Sequence, residues 1–232
     1  MDITSTADPS AGLKLLAWLS PAFPVGSFAY SHGLEWAHEV GWVGDAGALI
    51  AWITDLVEQG SWRSDAVLCT AAYRASLHRD AKSLAEVAEL AAALAPSAER
   101  RLETVQQGNA FVTAIRAAWP CVAIEHLKEV APGDIAYPVA LGVAAAGHGI
   151  AVPTLLESFG VAFVSNLASA AIRLSLIGQT DGQRVIAALL PIVGRTAQSL
   201  HGATLDDLGS VAFRSDLASL LHETQYTRLF RS

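Results

Sequence analysis

Apolar residues recur along this chain at helical spacing, and alternation of apolar with polar residues is hard to find over more than about four positions. That periodicity predicts an all-α fold, a single-domain helical bundle with no significant sheet. Breakers divide the pattern into about ten helices. The first covers 11–19 and is stopped by Pro21 and Pro24; the second runs from Ser27 to Gly41; the third, capped by Asp45, reaches Gly60. Two more occupy 61–79 and 80–95, the latter an amphipathic run rich in Ala, Glu and Leu that Pro96 ends. A long helix from Ser97 extends to Pro120, and 120–133 reads as a link. "PVALGVAAAGHG" and "TLLESFGVAFVSNLASAAIRLSL" read as the least exposed helices of the core. Thr180 and Gln183 in "GQTDGQRV" have the spacing of a capping box, which predicts a helix start there, with a kink at Pro191 and an end at Gly202. A last helix over 215–225 leaves the tail "YTRLFRS". The expected organisation is a disordered segment 1–10, a helical domain 11–225 and a docking tail 226–232.

Composition narrows the function classes. Hydrophobic residues make up 52% of the chain and charged residues 16%, enough for a core without metal or disulfide and with apolar surface left for partners. A uniformly uncharged stretch, Ala136 to Leu156, is interrupted by Pro138, His148 and Pro153 and has no flanking Lys/Arg cluster, so it predicts two buried helices joined by a loop and no membrane span. A net charge of −7 with no basic face excludes nucleic acid as a partner. Two distant cysteines, Cys69 and Cys121, make neither a disulfide framework nor a CxxC metal site and read as small buried hydrophobes. "MDITSTADPSAG" has no basic start followed by an apolar run, which predicts a cytoplasmic protein.

Candidate chemistry concentrates in "SPAFPVGSFAYSHGLEWAHE", residues 20–39. "AYSHG" is one residue short of a G-x-S-x-G nucleophile elbow, with Ser31 in the nucleophile position and His32 or His38 as a base; a Pro/Gly turn precedes it where an elbow needs a strand. His32 and His38 stand six apart, off the three-or-four spacing of paired helical metal ligands, and "HETQY" ends in Tyr226 where a zinc motif needs His. There is no Walker A loop or dinucleotide fingerprint, so any phosphate chemistry belongs to another chain, and no cofactor is expected. On a helical wheel starting at Phe28, residues Ser31, His32, Glu35, His38 and Glu39 share one polar arc: either an ordinary solvated face or a recognition helix behind a rigid turn. The tail sets Arg228 and Arg231 around Leu229 and Phe230, a composition that suits a peptide ordered by a partner's groove.

Four segments, "LLAWLSPAFPVGSFAYSHGLE", "YPVALGVAAAGHGI", "AAIRLSLIGQTDGQRVI" and "HETQYTRLFRS", resemble in order and spacing the signature segments of the UreF family of urease accessory proteins. The resemblance covers nearly the whole chain. It implies an all-helical, non-enzymatic homodimer that binds the accessory protein UreD (UreH), recruits the GTPase UreG and helps deliver nickel into apo-urease. It places UreD docking at His222, Glu223, Tyr226, Arg228, Leu229, Phe230 and Arg231. Tyr30, Ser31 and Glu35 match the first motif, together with Pro24 and Gly26, and Arg173, Gln179, Asp181 and Gln183 match the third as further candidate partner contacts.

Overall fold

The computed structural model describes residues 10–232. The segment expected to be disordered lies, apart from Ser10, outside the described residues. Among the described residues there are eleven α-helices, two single-turn 3₁₀ segments and no strand. They are α1 (Ala11–Trp18), α2 (Leu34–Glu39), α3 (Ala46–Glu58), α4 (Ser61–Leu77), α5 (Ala81–Ala93), α6 (Ala98–Ala118), α7 (Val122–Val130), α8 (Tyr137–Gly147), α9 (Val152–Arg173), α10 (Gln179–Leu200) and α11 (Phe213–His222).

The core is built round α8, whose residues Pro138 to Ala145 are all buried. A helix that is apolar on every face has no solvent side, and its neighbours α4, α6 and α7 cover it all round. The contact with α4 is close because Gly142 lacks a side chain: a Cβ there would stand 2.3 Å from the Cys69 carbonyl oxygen. The α3, α9 and α10 helices pack on the other side of α4. Within α9, 56% of the apolar window that is long enough to cross a membrane is buried inside the protein, as expected of a core helix. Asp45, Asp80 and Ser97 cap α3, α5 and α6 by accepting the amides of Ala48, Ser83 and Arg100.

Three local expectations are corrected. The helix drawn from Ser27 to Gly41 is a 3₁₀ turn at Ser27–Ala29, a break, and the six-residue α2, because His32 and Gly33 take left-handed backbone angles (φ 54° and 74°) that no α-helix accommodates. Thr180 is not a cap: Gly178 is the N-cap and its carbonyl already accepts the Gly182 amide, which puts Thr180 inside the first turn. The capping box lies instead at Thr204 and Asp207. α10 includes Pro191, which withholds an amide from the Ala187 carbonyl; both residues are exposed. The link 120–133 contains a helix, α7, which buries Ile124 and Leu127 and is pinned by two Arg116–Glu125 hydrogen bonds of 2.7 and 2.8 Å.

Candidate interaction site

The first and last motifs of the sequence meet in space. Gly26 (φ 74°) and the His32–Gly33 pair fold residues 26–33 into a double turn, and the second turn lies so close to α11 that a Cβ on Gly33 would stand 2.8 Å from the Ser219 amide. The turn places Glu35 in the first turn of α2, buried, with its carboxylate facing the tail. One Glu35 oxygen accepts the Leu229 amide at 2.6 Å; the other accepts the Phe230 amide at 2.9 Å and faces His222 Nε2 at 3.1 Å. On the far side of the ring, His222 Nδ1 meets Glu99 at 2.6 Å, and Glu99 also holds Arg228. His222 is fully buried between two carboxylates, one facing each ring nitrogen.

The tail is fastened along its length. The Arg231 amide donates to the Ala29 carbonyl and the Ser31 amide to the Ser232 carbonyl, each at 2.8 Å. Phe230 is buried at 4% exposure under Arg173, whose guanidinium lies 4.4 Å above the ring and also donates to the Phe28 carbonyl. The Ser232 hydroxyl donates to Glu103 at 3.0 Å. Glu103 belongs to a second buried cluster on α6, with Arg100, with Gln107 at 3.0 Å and with His32 at 3.1 Å. Burial alone would raise the Glu103 carboxyl, but Arg100 and then His32 outweigh it and hold it at about 2. Burial and the Arg100 charge push the His32 ring below its usual value, towards the neutral form.

This geometry bears on each candidate residue. Ser31 is fully buried and its hydroxyl is spent on the Ser232 carbonyl; His32 faces Arg100 and Glu103, and His38 Nδ1 lies 3.0 Å from the Val43 carbonyl, so neither histidine serves Ser31 as a base. The polar arc drawn on the wheel is not a solvated face, since Ser31, His32 and Glu35 are buried and only Glu39 of the group is exposed. Tyr30 is buried too, its hydroxyl donating to Gln106 at 2.7 Å. Glu223 accepts the Ala98 amide at 2.7 Å. Gln179, Asp181 and Gln183 open α10 outside this network, and Asp181 pairs with Arg184 at 2.8 Å. Sequence reasoning missed Glu99, Arg100, Glu103 and Gln107. Their signal was present in "ERRLETVQQG": Arg100, Glu103 and Gln107 fall at i, i+3 and i+7, one face of a helix.

With the tail fixed, an apolar stripe stands outward. Phe213, Leu217, Leu220 and Leu221 follow i, i+4, i+7, i+8 spacing along α11 and are all exposed, and the tail adds Tyr226 and Leu229.

A UreF family model matches residues 43–190 of the chain. The chain belongs to the UreF family. Its UreF relatives include the urease accessory protein UreF of Xanthobacter autotrophicus, 54% identical over 98% of this chain and 94% of that protein. That of Azorhizobium caulinodans is 50% identical over the whole of both chains, and that of Methylobacterium radiotolerans is 50% identical over 97% and 99% respectively. UreF membership makes this an accessory protein of urease maturation. The UreF model covers Glu99, Glu103 and Arg173 but neither Glu35 nor the tail 226–232, while the full-length relatives span all of them.

Proposed function

We propose that this chain is a non-enzymatic scaffold that binds UreD (UreH), recruits or regulates the GTPase UreG and so takes part in inserting nickel into apo-urease, working as a cytoplasmic homodimer. The observation that carries the reading is the fastened tail: Glu35 and Glu99 fix 226–232 so that Tyr226 and Leu229 stand out beside the bare stripe of α11. In this reading the partner-binding residues divide by exposure. Tyr226, Arg228, Leu229 and Arg231 offer contact, while Tyr30, Ser31, Glu35, His222, Glu223 and Phe230 position them. Arg173 clamps Phe230, and Gln179, Asp181 and Gln183 form a separate polar patch for a further partner.

The test is co-purification with UreD together with urease activation in a reconstituted system. Tyr226→Ala combined with Leu229→Ala leaves every tail anchor in place, and we expect at least tenfold weaker UreD capture with lower activation. Normal capture by this variant and by the deletion of Tyr226 to Ser232 would refute the tail as docking element. Full activation by Ser31→Ala eliminates the hydrolase alternative.

A further inference from the structure

The ring of His222, on α11, joins two carboxylates that belong to different elements, Glu35 on α2 and Glu99 on α6. A Glu99 oxygen stands 2.6 Å from Nδ1 and a Glu35 oxygen 3.1 Å from Nε2. At such distances a contact holds only with a hydrogen between oxygen and nitrogen, because facing lone pairs repel. A neutral imidazole carries one N–H, so it serves one carboxylate and turns a bare nitrogen to the other. Closing both sides therefore takes one proton more than a neutral ring and two carboxylates supply.

Both carboxylates also fasten the tail. The Glu35 oxygen that faces Nε2 is the one that accepts the Phe230 amide, and the second Glu99 oxygen holds Arg228. The other charges on the elements packed here are turned elsewhere: Glu223 to the Ala98 amide, Glu39 to Gln225 and Arg100 to Glu103. Without the added proton, two carboxylates share the half-exposed Arg228 as their cation, and a bare ring nitrogen presses on the oxygen that holds Phe230.

We propose that Glu35, His222 and Glu99 form a proton-operated latch for the tail. With the added proton in place, the triad ties α2, α6 and α11 together and Glu35 keeps the Leu229 and Phe230 amides. As pH rises the proton passes to solvent, Nε2 and Glu35 repel, and the tail lifts. The latch is closed at low pH and opens at high pH.

The test is amide exchange of the full chain by NMR, corrected for the intrinsic rate at each pH, from about pH 5.5 to about pH 8.5, a window that brackets imidazole titration. We expect protection at Leu229 and Phe230 to fall at least tenfold across the window while α8 amides keep theirs. The 15N shifts of the His222 ring should change over the same pH interval. His222→Gln has no such proton to lose, and its tail protection should stay flat with pH; should that variant fail to fold, the wild-type ring shifts decide. Tail protection that ignores pH, that follows pH equally in His222→Gln, or that changes in an interval apart from the ring shifts overturns the proposal. Because the readout needs no partner, a latch that fails leaves the UreD docking reading to its own capture test.

Discussion

At the scale of single residues, the buried charges of α6 and α4 act in opposite directions. Glu103, held at about 2 by Arg100 and His32, has a folded value below its ordinary 4.5. Its contribution is complete above pH 4.5 and is lost as pH falls towards 2. Glu103→Ala leaves Arg100 buried without its carboxylate, and we expect a loss of about 3–5 kcal/mol in urea unfolding at pH 7. Asp65 has the reverse sign: its folded value is raised from 3.8 to about 7, so stability declines as pH rises from 3.8 through 7. Asp65→Asn should stabilise the protein at pH 8 by roughly 1–3 kcal/mol, less than the full shift implies because water reaches a half-buried carboxyl. The gain should vanish near pH 4. Denaturant midpoints measured at both pH values decide it, and a variant less stable than wild type at pH 8 contradicts the assignment.

At the scale of elements, the tail is a strap with three kinds of fastening: backbone amides on Glu35, a ring under Arg173, and hydroxyl and carbonyl bonds to Ser31 and Glu103. Glu35→Ala removes the acceptor of one buried and one half-buried amide at once and leaves His222 with one carboxylate. Since each orphaned buried donor costs on the order of 1–3 kcal/mol, the strap should open locally before the bundle unfolds. Hydrogen exchange at the Leu229 and Phe230 amides is the direct readout. We expect it to accelerate by at least tenfold in Glu35→Ala while amides of α8 keep their protection. Uniform acceleration of both would mean that the strap and the core open as one unit. Within the bundle, Gly142→Val should force α4 and α8 apart against the Cys69 carbonyl and lower the melting temperature far more than a substitution at exposed Gly202.

At the scale of the whole molecule, an apolar-rich chain has closed one helical core and left its last helix with a bare stripe that the core cannot use. The helical class, the cap at Asp45 and the burial of α8 were legible in the sequence, because each depends on residues within a few positions of one another or on composition alone. Family membership was legible for the same reason, being carried by contiguous segments. The double turn at residues 26–33 was not, since its left-handed His32 is held in place by the contact of Gly33 with α11, which lies far along the chain. Nor could the wheel reveal that Ser31, His32 and Glu35 face inward, for a polar arc reads the same whether it meets water or a buried set of donors. The sequence by itself determined which segments are helical, which helix is wrapped on all sides, and that the ends of the chain are chemically distinctive. Only the tertiary structure decided that those ends meet, because the partners of Glu35 come from residues almost two hundred positions away, and no local preference encodes a contact of that range.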